Sequence, residues 1–85
     1  MSNNNNSPFF DFIATCGDEV TAKNGNVYVR FYTFESKYIL IKREYARCSD
    51  HSACVEGKRY QIRVCPAVYH GEPYFRFNVL FEVAL

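Results

Sequence analysis

The chain contains the stretch KNGNVYVRFYTF at residues 23–34, in which a glycine-centred turn leads directly into an alternating run of aromatic, basic and apolar residues. Successive side chains of a β-strand point to opposite faces, so this run predicts a strand with two different faces. One face carries Val27, Val29, Phe31 and Thr33. The other carries Tyr28, Arg30, Tyr32 and Phe34. The first face is typical of a core, and the strand therefore decides which side of a sheet is buried.

The second face of this strand favours contact with unpaired bases. Aromatic rings stack on bases while a cation meets phosphate, and Arg30 lies among the rings of this face. The simpler interpretation is a buried aromatic face, because aromatic residues favour strands and cores in any protein. The strand alone leaves both interpretations open.

The composition indicates one folded domain with a balanced surface. With 85 residues, 48% of them hydrophobic, and with seven Tyr and eight Phe, the chain is too apolar for a disordered protein and too short for two domains. Ten Lys and Arg against nine Asp and Glu give a net charge of +1, which lacks the strong basic excess of many nucleic-acid binders. Cations cluster locally at residues 37–47 and 58–63, where a phosphate site or an ordinary mixed surface explains them equally well.

The N-terminal sequence MSNNNNS is polar and of low complexity, which predicts a disordered tail at residues 1–7 and a single domain at residues 8–85. No apolar run has the length of a signal peptide or of the roughly 20 residues that span a bilayer. A cytoplasmic location without a membrane partner is therefore expected.

Five alternating segments predict an all-β fold. They cover residues 8–16, 27–35, 37–45, 58–65 and 74–84, and the fourth carries Tyr60, Ile62 and Val64 on its inward face. The fifth has an apolar residue at every second position, which predicts core positions at Phe75, Phe77, Val79, Phe81 and Val83. Five short strands with one longer connection are typical of a five-stranded antiparallel OB-fold barrel with protruding hairpins. An SH3-like barrel or a small open sandwich has the same number of strands.

Short polar segments predict where these strands end. Gly17-Asp18 is expected to end the first strand, and the short segment around Ser36 is expected to form a tight hairpin between the second and third. His70-Gly71 is expected to reverse the chain before the fifth strand.

The four cysteines are expected to be reduced, with Cys16 and Cys65 as small buried side chains on strands. Cys48, His51 and Cys54 form a run that suggests a metal site, but structural zinc needs four ligands and usually begins with closely paired cysteines. A plain polar connection is the favoured interpretation of this run, so neither a metal nor a cofactor is expected.

The residue types of a catalytic site do not assemble in this sequence. No carboxylate pair, nucleophile and base, or phosphate-cradling glycine loop is recognisable from the residue spacing. We therefore expect a protein that is not an enzyme and has no small-molecule substrate.

Four segments share their order and spacing with a known family. These are AKNGNVY at residues 22–28, ILIK at 39–42, GKRYQIRV at 57–64 and the closing hairpin at 66–83. Together they resemble the single-stranded-DNA-binding proteins of filamentous phages, the gene V protein-like family. The resemblance covers most of the chain after its Asn-rich tail.

This resemblance implies a cooperative homodimer that coats phage single-stranded DNA during replication, without sequence preference, in the cytoplasm of the infected host cell. It implies that DNA contacts Lys23, Tyr28, Arg30, Tyr32, Phe34, Tyr38, Lys42 and Tyr69. It also implies that the two subunits meet through Val68, Tyr69 and His70.

The alternative function is a small β-barrel module that binds another protein through the same aromatic face, because exposed tyrosines and arginines also form interface hot spots. Such a module would be stapled by zinc if Cys48, His51 and Cys54 held the metal.

Overall fold

The structure of this chain, a computed structural model, describes residues 9–84 except the side chain of Glu35. It contains five strands: β1 (Phe10–Thr21), β2 (Val27–Tyr32), β3 (Tyr38–Lys42), β4 (Arg59–Tyr69) and β5 (Glu72–Glu82). All five form one antiparallel sheet in the order β3-β2-β1-β4-β5. Over the described range, the only helical segments are two short 3-10 turns, at Phe34–Ser36 and Arg43–Tyr45. The predicted all-β fold is confirmed.

The central strand β1 pairs with two neighbours over different parts of its length. Its first half pairs with β4, and its second half pairs with β2. The register with β2 shifts between Cys16 and Glu19, so the strand bulges there and continues. A Cβ atom on Gly17 would lie 2.5 Å from Cε2 of Tyr32, so a larger residue at this bulge would displace the Tyr32 ring. The prediction that Gly17 and Asp18 end the first strand is therefore wrong.

The alternation predicted for the second strand is present where the strand is regular. Val29 and Phe31 are buried, and the opposite face is only half-buried. The strand ends at Tyr32, however, and Phe34 lies in the following 3-10 turn with 81% of its surface exposed. Phe34 therefore does not lie on the same face as Tyr28, Arg30 and Tyr32, as the alternation predicted. The backbone N–H of Thr33 donates to the carbonyl of Lys37 at 2.7 Å and closes this turn.

The core is formed by the inner faces of the curved sheet together with the long connection between β3 and β4. Phe31, Tyr60 and Ile62 are at most 2% exposed, and the rings of Phe31 and Tyr60 meet edge to face at 6.3 Å. The Tyr60 hydroxyl accepts the backbone N–H of Val55 at 2.7 Å, which satisfies the one polar atom of this buried side chain. Ala46 and Cys48 of the connection complete the core.

The apolar row predicted on the fifth strand does not lie on one face. Gln61 pairs with Phe81 and the next residue, Ile62, pairs with Val79, so Leu80 is an extra residue that inverts the alternation. Phe81 is consequently 52% exposed, while Val79 is 4% exposed. The core prediction is right for Val79, whereas Phe77 and Val83 are partly buried and Phe75 and Phe81 are exposed.

The hairpin between β4 and β5 is longer than predicted and has a tighter turn. Residues 66–69 and 72–73, which were expected in the connection, belong to the strands. Only His70 and Gly71 separate the strands, with φ of 51° and 78°, and two residues with positive φ match the twist of a two-residue hairpin turn. The predicted reversal at His70-Gly71 is confirmed.

The two edge strands of the sheet, β3 and β5, line opposite sides of a groove and are not paired with each other. The sheet is therefore open between these edges. The tail predicted at residues 1–7 lies outside the described residues. None of the helical segments at residues 9–84 is long and apolar enough to cross a membrane.

Two phenylalanines test the assignment of faces. Phe31→Ala removes a fully buried ring and should lower the free energy of unfolding by about 3–5 kcal/mol. Phe81→Ala removes an exposed ring and should lower it by about 1 kcal/mol or less. Urea denaturation followed by circular dichroism measures both. Equal losses in the two variants would show that Leu80 does not invert the alternation.

Candidate nucleic-acid interface

Strands β2 and β3 place six side chains side by side on the outer face of the sheet. Their register joins Tyr28 to Lys42, Arg30 to Leu40 and Tyr32 to Tyr38. Directly opposed residues of antiparallel strands have Cβ atoms about 4.5–5.5 Å apart, so the two side chains of each pair are neighbours on this face. We call this group the aromatic face: Tyr28, Arg30, Tyr32, Tyr38, Leu40 and Lys42.

On the aromatic face, two rings pack against each other and one of them contacts the arginine. Tyr32 and Tyr38 meet at a centroid distance of 5.5 Å, and the guanidinium carbon of Arg30 lies 5.2 Å from the centre of the Tyr38 ring. A guanidinium over a ring at this distance forms a cation–π contact. Tyr38 and Leu40 are 47% and 45% exposed. The face therefore combines fixed rings, a fixed cation and accessible surface.

Arg30 is held in place by the bulge of β1. Its Nη1 lies 2.8 Å from Oδ2 of Asp18, and this hydrogen bond raises the pKa of Arg30. The Nε atom of Arg30 is enclosed and has no hydrogen-bond partner among the described residues. An enclosed donor without a partner is costly, and such costs are common at binding sites. Asp18 also offsets the charge that Arg30 presents to a ligand.

Lys23 lies exposed on the turn between β1 and β2, which is closed by the backbone bond from the N–H of Ala22 to the carbonyl of Asn26 at 2.8 Å. Gly25 in this turn has a φ of 89°, a conformation that glycine adopts without strain. The turn leads into Val27, the first residue of the strand that bears Tyr28 and Arg30. Lys23 is thus carried by the hairpin whose second strand forms part of the aromatic face.

Tyr69 is not part of the aromatic face. It lies at the end of β4, two strands away from β2. The centroid of its ring lies 4.2 Å from that of the His70 ring and 6.5 Å from that of the Tyr74 ring. Val68 and Tyr69 are 71% and 66% exposed at the tip of this hairpin. Within one chain, the residues expected to bind DNA are therefore divided between the aromatic face, the first turn and the last hairpin.

A second group of cations and rings was not predicted from the alternation. Tyr45, Arg47, Tyr74 and Arg76 line the groove between β3 and β5, with Lys42 at its border with the aromatic face. Arg47 belongs to the basic cluster at residues 37–47, and Arg76 alternates with Phe75 and Phe77. These two features were the signals in the sequence that pointed to this second group. Neither indicates that strands distant in sequence lie on two sides of one groove.

The run that contains Cys48, His51 and Cys54 forms a hydrogen-bonded turn packed against the core. Asp50 accepts the backbone N–H of Ser52 at 3.0 Å, and the N–H of Cys48 donates to the carbonyl of Ser52 at 2.9 Å. His51 is exposed, whereas Cys48 is buried. Across the described residues, no three His, Cys, Asp or Glu side chains are grouped so that they could hold a metal ion. The geometry therefore gives no support to a zinc staple.

The surroundings of Cys16 and Cys54 keep these two thiols protonated. Burial is the main cause that raises the pKa of Cys16 and that of Cys54, the latter to about 12, and the nearby Cys48 adds to the effect on Cys54. All four cysteines are free thiols. Because the thiolate is the reactive form of cysteine, Cys16 and Cys54 are poor nucleophiles in this fold.

An apolar cleft of about 860 Å³ lies beside the first half of β1. Asp11, the one charged residue among the described residues that line it, accepts hydrogen bonds from the Arg63 guanidinium at 2.8 Å and from Gln61 at 2.8 Å. The hydrogen bond from Arg63 lowers the pKa of Asp11. The rings that line this cleft are Phe10, Phe12, Phe34, Phe75 and Phe77.

Comparison of the chain with family models, with curated proteins and with solved structures gave no match. The resemblance to filamentous-phage proteins therefore rests on the four segments described above. The function has to be argued from the geometry of the face, the hairpins and the groove.

Cys54 makes the stability of the fold depend on pH, and one substitution isolates its contribution. Its pKa is about 12 in the folded chain against an ordinary value of 9.0, so between these values the unfolded chain loses the proton first. The free energy of unfolding should fall as pH rises from about 9 towards 12. Cys54→Ala should show a smaller fall than the parent, by urea denaturation under reducing conditions at pH 8, 9 and 10. An identical fall in both chains would contradict the burial of this thiol.

Proposed function

We propose that this protein is a non-catalytic, sequence-tolerant single-stranded-DNA-binding protein, and that the aromatic face is its main binding surface. The observation that supports this most is the register of β2 and β3, which brings Tyr28, Tyr32 and Tyr38 around Arg30 outside the core. A structural role alone does not require three rings and two cations on the outer side of a sheet. Bases stack on the rings, and phosphates meet Arg30 and Lys42.

The physical chemistry of such a face accounts for binding without sequence preference. Each base stacked on an aromatic ring contributes about 1–3 kcal/mol, and every base has a π-face. Contacts between phosphates and Lys or Arg add affinity that falls with salt and reads no sequence. The rings of Tyr32 and Tyr38 already touch, so little side-chain freedom is lost on binding.

The order of the strands supports the finer proposal that the sheet is a partly open OB-fold barrel. The edges β3 and β5 border the same groove, so a single further pairing would close the sheet. OB-folds bind oligonucleotides on the face of strands 2 and 3 and on the loops after strands 1 and 4. The corresponding parts of this chain are the aromatic face, Lys23 and the His70-Gly71 turn next to Tyr69.

We propose further that two copies associate through the β4–β5 hairpins and coat phage DNA during replication in the infected host cell. Val68 and Tyr69 expose apolar surface at the hairpin tip, which a second copy would cover, and His70 lies beside them. Association would carry Tyr69 to the DNA bound by the partner, as the resemblance implies. Light scattering should then report a dimer at tens of micromolar.

A second candidate function is a module that binds another protein. The apolar cleft of about 860 Å³ favours it, because phenylalanine rings around a cleft suit an apolar side chain of a partner. The two functions differ in the surface used. Single-stranded DNA should quench the emission of the tyrosines on the aromatic face, and a partner in the cleft should leave that emission unchanged.

The proposal is tested by titrating the chain with fluorescently labelled dT16 and with a duplex of the same length, at several salt concentrations. Tyr28→Ala and Arg30→Ala should each weaken binding of dT16 without loss of folding, because both side chains lie outside the core. Of the two, only Arg30→Ala should make the dependence of log affinity on log salt shallower, by about 0.7 for one lost phosphate contact.

Lys58→Ala is the matched control for charge, since Lys58 pairs with Glu82 at 3.4 Å and lies outside the aromatic face. It should change the affinity for dT16 much less than Arg30→Ala. Equal binding of duplex and single strand, or unchanged affinity in both face variants, would overturn the proposal.

Asp18→Asn should strengthen binding of single-stranded DNA. The substitution removes the carboxylate that lies 2.8 Å from Arg30 and leaves the guanidinium free to meet phosphate. The expected result is a several-fold higher affinity for dT16 at low salt and a steeper salt dependence. Asp50→Asn, which changes the same charge in the distant 43–58 connection, is the control. A lower affinity in Asp18→Asn would mean that Asp18 positions Arg30 more than it screens it.

A further inference from the structure

The unpaired edges of the sheet enclose a groove of about 430 Å³, which we call the edge groove. Its floor consists of the inward side chains Ile41, Phe77 and Val79, which are buried or partly buried. Its walls carry outward side chains of both edges and two residues of the connection after β3: Leu40, Lys42, Tyr45, Arg47, Tyr74, Arg76 and Asn78. A solid floor and polar walls make this a formed groove and not a gap that reaches through the protein.

The edge groove has an excess of positive charge. Lys42, Arg47 and Arg76 line it, and none of the described lining residues is acidic. Four other cations of the described chain form ion pairs, and none of these pairs includes a cation of the groove. Arg47 donates one hydrogen bond, to the backbone carbonyl of His51 at 3.2 Å. A carbonyl oxygen has no formal charge, so this bond does not neutralise the positive charge of Arg47. The groove therefore attracts anions although the whole chain carries a charge of only +1.

The groove also carries rings and an amide beside these cations. Tyr45 and Tyr74 are 64% and 42% exposed, so both rings are accessible to a ligand. Guanidinium groups bind phosphate oxygens through paired hydrogen bonds, and phenol rings stack on bases. Asn78 adds an amide that both donates and accepts. An acidic peptide would use the cations alone, whereas a nucleotide would use the cations and the rings.

We propose that the edge groove binds a nucleoside phosphate, with the phosphate held by Arg47 and Arg76 and the base against Tyr45 or Tyr74. The volume of about 430 Å³ lies within the range of about 300–1,000 Å³ that is usual for small-molecule sites. This inference rests on the proposed function, because it extends the path of the bound strand beyond the aromatic face. Lys42 joins the two surfaces, since it lies opposite Tyr28 in the sheet and also lines the groove.

The nucleotide has two sources, a free nucleotide or one residue of a bound strand, and the experiment separates them. The side-chain N–H signals of Arg47 and Arg76 are followed by NMR in the full chain during addition of thymidine 5′-monophosphate, dT16 and inorganic phosphate. Shifts caused by the mononucleotide assign a site for free nucleotides, and shifts caused only by dT16 assign the groove to the strand. Shifts caused equally by inorganic phosphate, or no shifts at all, overturn the proposal.

A double variant tests the contribution of the groove to affinity. Arg47→Gln with Arg76→Gln should lower the affinity for dT16 at least tenfold and make its salt dependence shallower by about 0.7, for the one phosphate that the two arginines hold. Lys58→Gln with Arg59→Gln removes the same charge outside the groove and should change the affinity much less. Equal losses of affinity in the two double variants would show that the effect comes from net charge alone and would overturn the assignment of the groove.

The outcomes separate this inference from the function on which it rests. If dT16 binds the parent and the groove variant equally well, the groove assignment fails and the aromatic face stands. If dT16 does not bind the parent while the mononucleotide shifts Arg47 and Arg76, the proposed function fails and the groove stands as a nucleotide site. Should the groove variant not fold, the NMR titrations of the parent still decide the question.

Discussion

The Tyr32 ring packs close to Gly17 at the bulge of β1 between Cys16 and Glu19, and β1 pairs with β2 on one side and with β4 on the other. The curved sheet encloses Phe31, Tyr60 and Ile62, the most buried large side chains among the described residues. The same bulge carries Asp18 to Arg30. A larger residue at position 17 would push the Tyr32 ring away and disturb the fold and the aromatic face together.

The two faces of β2 have separate tasks in the proposed function. Its inner side chains, Val29 and Phe31, are buried, and stability depends on them through the area they remove from water. Its outer side chains contribute rings and charge to a surface that remains accessible. Binding can therefore be altered at Tyr28 or Arg30 with little effect on the core. Arg30 is the costly member of this surface, because its Nε is enclosed without a partner.

The open side of the sheet gives the protein its second group of candidate contacts. Strands β3 and β5 are distant in sequence, yet their outward side chains form the walls of one groove. The 3-10 turn Arg43–Tyr45 ends β3 and brings Tyr45 and Arg47 to the same place. Lys42 links the groove to the aromatic face, so the two surfaces together form a continuous path of cations and rings across β3.

Residue alternation by itself determined the buried and exposed faces of β2, the inward row of β4 and the antiparallel all-β class, and the His70-Gly71 pair determined the turn between β4 and β5. These features depend on neighbours within one strand or one turn, where the period of two residues acts directly. Residue alternation also brought Tyr28, Arg30 and Tyr32 to one face, and the pairing of β2 with β3 added Tyr38 and Lys42. Only the tertiary structure decided the continuation of β1 past Gly17, the exposure of Phe81, the departure of Phe34 from the face and the existence of the edge groove. A bulge or a strand end changes which way each later side chain points, and the pairing partner that sets it lies elsewhere in the chain.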